Sequence, residues 1–135
     1  TTSNQVDEIF TNTGLYNVDN KNQYPLKDEG LYEYTKKEND RGKYRIPSLR
    51  NVLLTPPYMH DGSVATIEEV IDIYARGGRV IDYGEHKGDG SLNQYKDKRL
   101  HGFTLSSSDK TDLINFLDAL SDSTIKSNLL FVKPR

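Results

Sequence analysis

Cysteine is absent from the 135 residues, which excludes a disulfide framework, a thiolate metal site and a cysteine nucleophile. An excess of one charge is lacking too: 18 Lys and Arg stand against 20 Asp and Glu, a formal net charge of −2. That balance rules out a strongly basic nucleic-acid binder. No run approaches the roughly 18 apolar residues of a membrane helix, and with a mean hydropathy of −0.75 no membrane span is expected. The first residues lack the basic-then-apolar opening of a signal peptide, so none is expected in this chain.

Apolar material is scarce as well. Residues of the hydrophobic set make up 34%, and counting Gly in place of Tyr leaves it at about 35%, against about 45–50% in an ordinary globular domain. A chain of one domain's length with so lean a core either carries long polar loops or fills its centre with something other than side chains.

Residues 1–44 are polar and without sustained period; only Ile9-Phe10 and Leu15-Tyr16 stand out as anchors. The acidic stretch over 19–29 lacks the alternating Asp/Asn and mid-loop Gly of an EF-hand and reads as solvated. A short helix is expected over 48–54, ended by Pro56-Pro57, which leaves Thr55 and Pro56 extended with free carbonyls. Thr66 with Glu69 has capping-box spacing, Ile67, Val70, Ile71 and Tyr74 line one helical face, and Gly77-Gly78 stops the helix. Ser106 with Asp109 opens a second helix whose stripe is Leu113, Phe116, Leu117 and Leu120. Residues 79–104 read as a long surface loop. No segment alternates as a strand would, so the expected class is all-α with long loops, in one domain over 1–135. It divides into mostly loop over 1–44, a helical core over 45–122 and a tail over 123–135.

The three imidazoles, His60, His86 and His101, have no helical i, i+4 spacing, so no local His-based zinc site is expected. Gly84, Gly88 and Gly90 follow no strand and open no helix, unlike a phosphate loop. Tyr74 on an apolar helix face is ordinarily a core residue with its hydroxyl bonded nearby. Met59 is ordinarily packing. Arg45 and Arg50 read as surface charges, or as guanidinium groups able to hold a carboxylate bidentately.

The string Tyr44-Arg45-Ile46-Pro47-Ser48-Leu49-Arg50-Asn51-Val52, then Leu54-Thr55-Pro56-Pro57-Tyr58-Met59-His60-Asp61-Gly62-Ser63, resembles the C-terminal haem domain of bacterial di-haem cytochrome c peroxidases and their MauG-type relatives. Ala65-Thr66-Ile67-Glu68-Glu69-Val70-Ile71, Tyr74 and Gly77-Gly78 continue in register. Phe10-Thr11-Asn12-Thr13-Gly14-Leu15 resembles the family's segment after its haem motif, and residues 105–122 its closing helix. The resemblance runs over about 4–122, with 79–100 unmatched.

The resemblance implies a cytochrome c-like, all-helical domain around one c-type haem. Its Cys-x-x-Cys-His attachment segment, which supplies the proximal His, lies outside this chain. The distal iron ligand stands fourteen residues beyond the motif His, which from His60 is Tyr74; classical peroxidases carry Met there and MauG-type enzymes Tyr. Arg45, Arg50, Pro57, Tyr58, Met59 and His60 are the implied haem-binding residues. Thr55 and Pro57 are the implied calcium ligands, through backbone carbonyls. A haem also accounts for the lean core. In the family, peroxide reacts at an N-terminal haem and the C-terminal haem receives oxidising equivalents, so no catalytic residue is expected in this chain. The implied partners are the N-terminal haem domain, with an electron-donor protein or a protein substrate, in the periplasm or another extracytoplasmic space. The alternative is a haem-free fragment acting as an interaction module.

Overall fold

The computed structural model describes residues 9–126; the first residues of the chain and the expected tail from 127 onward lie outside the described residues. Three α-helices are present among them: α1 (Tyr32–Thr35), α2 (Ile67–Arg76) and α3 (Ser107–Ala119). Two antiparallel two-stranded sheets accompany them, one joining β1 (Phe10–Thr11) to β2 (Tyr44–Arg45), the other β3 (Val80–Ile81) to β4 (Gly88–Asp89). The expectation of an all-α fold is therefore overturned. Strands of two residues are too short to display alternation in the sequence, yet they close the long loops by backbone hydrogen bonding. Phe10 pairs with Arg45 and Thr11 with Tyr44, so the start of the described chain is tied to the segment that opens the recognisable motif.

The two longer helices form where their caps lie. Thr66 accepts the Glu69 N–H through its side chain at the head of α2, and Ser106 with Asp109 forms a reciprocal capping box at the head of α3, each satisfying donors that helix starts leave free. Gly77 ends α2 at φ 82°. A Cβ at Gly78 would collide with the backbone of Gly90 and Ser91, so only glycine lets the end of α2 close down on that stretch. The helix expected over 48–54 is reduced to a single 3₁₀ turn, Val52–Leu54, because Asn51 is left-handed at φ 62° and breaks the run. Thr55 has ψ 41° and is not extended, and the Pro56–Pro57 peptide is cis.

The core cluster comprises Leu15, Tyr16, Tyr24, Val64 and Ile73, with Tyr44, Tyr58, Met59, Val70 and Ile81 packed against it. Three of those five come from the segment read as polar loop. They are held by buried asparagines. Asn12 donates to the Arg41 carbonyl at 2.8 Å and accepts from Gly14 N–H and the Tyr24 hydroxyl, both at 2.8 Å. Asn17 donates to the Asp89 carbonyl at 2.7 Å and Asn93 to the Tyr16 carbonyl at 3.0 Å. Residues 79–104 are likewise no mere surface loop, since they contain β3, β4 and the buried Gly90 and Asn93.

Asn12→Ala leaves a carbonyl, an amide and a phenol unpaired in the interior. We expect it to lower unfolding free energy by about 3 kcal/mol in urea titration; a loss well under about 1 kcal/mol would show that the Asn12 bonds do not hold the loop down.

Candidate functional site

Residues 58–64 form a tight reversal: Tyr58 N–H bonds to the Val64 carbonyl at 2.7 Å, and Met59 is left-handed at φ 69°. The reversal turns His60 back over Tyr44, with ring centroids 3.5 Å apart and planes 12° from parallel. His60 Nε2 then lies 2.8 Å from Asp28 Oδ2, and the Tyr44 hydroxyl donates to Asp28 Oδ1 at 2.7 Å. The next residue, Asp61, accepts the Tyr16 hydroxyl at 2.7 Å and the Ser63 N–H at 2.9 Å. Ser63 in turn accepts from Arg79 at 2.8 Å. Tyr16, Tyr24 and Tyr44 join this arrangement, Tyr16 meeting Tyr24 in a T-shaped contact at 5.6 Å between centroids and Tyr24 meeting Tyr44 in a tilted one at 6.2 Å.

Electrostatics follow from this geometry. Burial, followed by the hydrogen bond to Asp28, pushes the Tyr44 phenol far above its ordinary range. Burial raises Tyr24 as well, and burial with the Asp61 bond raises Tyr16. Burial works against ionisation of Asp61, but the hydrogen bonds from Tyr16 and Ser63 outweigh it and hold the carboxyl below its usual range.

Tyr74 sits elsewhere, on α2. Its neighbour Ile73 enters the core cluster, and one position further round the helix Tyr74 does not. Burial raises the Tyr74 phenol, with no charged or hydrogen-bonding group contributing. No hydrogen bond from its hydroxyl is found among the described residues. Phe103 is bound next to it through its N–H on the Ala75 carbonyl at 2.8 Å, and α3 packs on α2. Phe103 and Phe116 on these segments stand open to solvent at 50% and 56%, and Ile46 at 43% and Leu49 at 52% are open on the stretch that follows β2. Phe116 was expected in the packed stripe of α3, of which Leu117 is the buried member.

The remaining expected site residues are dispersed. Arg45 is exposed in β2. Arg50 is also exposed and lies 3.5 Å from Asp122. Thr55 and Pro57 are exposed, and no described hydrogen bond ends on either carbonyl. Tyr58 and Met59 pack against the core. Asp28, Asp61, Tyr16 and Tyr44 were missed as site residues, because they meet only through contacts 16 to 45 residues apart in sequence.

No family model matches the chain. It is 43% identical over 96 residues to cytochrome-c peroxidase IdrP1 of Pseudomonas sp. strain SCT, which covers 71% of this chain and 22% of that protein. It is 32% identical over 80 residues to the methylamine utilization protein MauG of Methylorubrum extorquens, covering 59% of this chain and 19% of that protein. Among solved structures, a MauG-like protein associated with microbial copper homeostasis superposes with a TM-score of 0.88 at 47% identity, over 93% of this chain and 38% of that one. The chain belongs to the di-haem cytochrome c peroxidase and MauG family. It spans about a fifth of the length of the curated relatives it matches.

The raised phenols set a limit at high pH. The folded state keeps the Tyr24 and Tyr44 protons longer than the unfolded chain, whose tyrosines ionise near 10. Stability is therefore full below about pH 10 and falls as pH rises above it. Ultraviolet tyrosinate absorbance of the buried set should appear together with loss of near-ultraviolet dichroism; its appearance with the dichroism intact would contradict the burial assigned to these phenols.

Proposed function

We propose that this chain is the C-terminal haem-binding portion of a di-haem c-type peroxidase or MauG-like oxidase. Attachment would be through a Cys-x-x-Cys-His segment outside these residues, and Tyr74 would hold the iron through its phenol oxygen. The observation that carries the reading is the Tyr74 phenol, which is partly buried, unpaired among the described residues, and bordered by a segment that presents Phe103 to solvent. A phenol on a largely buried ring whose hydroxyl is committed to no protein group is free to take a ligand, and a ferric iron would be one. When bound, the haem supplies one-electron redox chemistry at its iron.

The chain's own residues bind and tune it. A phenolate oxygen is a harder ligand than a thioether and favours the ferric state. The open apolar side chains Ile46, Leu49, Phe103 and Phe116 would offer apolar surface to a macrocycle, raising its affinity. Arg45 and Arg50 are the guanidinium groups able to hold its carboxylates. Pro57, exposed, could contact a bound haem, as could the outer faces of Tyr58 and Met59, which otherwise pack on the core, while His60 is turned onto Tyr44 and Asp28. The free carbonyls of Thr55 and Pro57 provide two hard oxygen donors for calcium at the boundary with an N-terminal haem domain. Peroxide reduction, or oxidation of a partner protein, requires that companion domain, and the working location is the periplasm or an equivalent extracytoplasmic space.

Tyr74→Phe in the haem-loaded protein should change the ferric visible spectrum and raise the reduction potential, because the ligand favouring ferric iron is gone. An unchanged spectrum and potential, with only a small loss of stability, would make Tyr74 a core residue. Calcium chelation should make the boundary between the two haem domains more susceptible to limited proteolysis; an identical digestion pattern with and without chelator would remove Thr55 and Pro57 as ligands.

A further inference from the structure

The cluster around His60 has no part in the haem reading, and its composition is that of a metal site. Asp28, His60 and Asp61 each offer one ligand atom, and these atoms lie within 4.8 Å of one another. Donors bound at about 2.0–2.2 Å to one ion cannot be further apart than about twice that bond length, so the three stand within or just outside the span of a single ion. They come from two stretches 32 residues apart, brought together by the 58–64 reversal.

Three features distinguish the cluster from a group of solvated acids. The imidazole is fixed by stacking on Tyr44 at 3.5 Å, and its side chain is only 20% exposed. Its Nε2 is directed at Asp28 Oδ2, 2.8 Å away, on a surface where His60 and Asp61 are open to solvent. Each carboxylate is oriented by a phenol: Tyr44 on one oxygen of Asp28 and Tyr16 on one oxygen of Asp61. Outer-shell donors of this kind aim and tune carboxylate ligands in metal sites. Two carboxylates beside one imidazole also leave a surplus of negative charge that a cation offsets; Arg79 is held on Ser63, two residues beyond Asp61.

We propose that Asp28, His60 and Asp61 bind a divalent transition-metal ion of the zinc–copper class, separate from any haem iron and from the carbonyl site at Thr55 and Pro57. The donor set decides the class. One imidazole nitrogen with two carboxylate oxygens suits borderline ions. Calcium requires six to eight oxygens, and magnesium prefers an all-oxygen octahedron rich in water. With three protein donors, at least one coordination position stays open to water or to a further ligand.

The test uses the purified native protein, stripped with a chelator and desalted. Titration calorimetry with Zn²⁺ should give a saturable site that His60→Gln and Asp61→Asn weaken by about tenfold or more, and that Tyr16→Phe or Tyr44→Phe weakens by about tenfold. Asp61→Asn retains an acceptor for the Tyr16 hydroxyl, and circular dichroism of each variant separates lost binding from lost fold. Should the variants not fold, Cu²⁺ paramagnetic resonance on the wild-type protein reads the site directly, and coupling to one imidazole nitrogen is expected. Identical Zn²⁺ isotherms in wild type and folded variants, or a Cu²⁺ spectrum without nitrogen coupling, would overturn the proposal and leave the cluster a hydrogen-bonded clasp. Haem content does not enter either readout, so a failure here is distinct from a failure of the haem reading.

Discussion

Asn12 is the side chain on which the arrangement depends. Its amide is almost fully buried and uses its donor and acceptor on three different stretches, the Arg41 carbonyl, the Gly14 N–H and the Tyr24 hydroxyl. A chain this poor in aliphatic residues cannot collapse its loops by apolar burial alone. Hydrogen-bonded asparagines perform that task here, with Asn17 and Asn93 repeating the pattern toward β4 and Tyr16. Such a core tolerates little error, because each unpaired buried polar group costs about 1–3 kcal/mol. Gly42 belongs to the same knot: it is left-handed at φ 72°, and a Cβ there would run into the Tyr24 ring and the Asn12 amide.

From this knot the functional surfaces follow. Tyr24 and Tyr44 are set side by side, and Tyr44 becomes the platform on which the 58–64 reversal lays His60. On the other side, the closure of Gly78 onto Gly90 and Ser91 fixes the end of α2, and with it the position of Tyr74. Ile73 is consumed by the core and Tyr74 is not. The chemistry-bearing side chains are thus divided into two groups, one hydrogen-bonded to carboxylates and one whose hydroxyl has no described protein partner.

Legibility in the sequence tracked the kind of signal each element carries. α2 and α3 were readable because Thr66, Ser106 and Asp109 are chemical markers of helix starts and Gly77 of a helix end. The sheets were not readable, since two-residue strands have no period, and the all-α expectation failed on them. The first stretch reads as solvated loop because, Leu15 apart, its buried members are Tyr, Asn, Gly, Asp40 and Arg41, which carry no hydrophobic periodicity. Tyr74 is legible only through its fourteen-residue spacing from His60 within the family resemblance; from its helix face alone it reads as a core tyrosine. Asp28 has no local signal at all, and only the folded chain brings it to His60; Asp61 adjoins His60 in sequence, but nothing there marks it as the acceptor of the Tyr16 hydroxyl.

The family assignment rests on relatives several times longer than this chain, so what the chain contributes must be read from its own residues. Its central contribution, on this account, is an axial phenolate from Tyr74. The most direct test is resonance Raman spectroscopy of the haem-loaded native protein, prepared with and without ring-deuterated tyrosine. The account predicts tyrosinate vibrations, enhanced with the haem absorption, that shift on labelling. Haem vibrations insensitive to the label, or a native protein with no haem absorption at all, would contradict it.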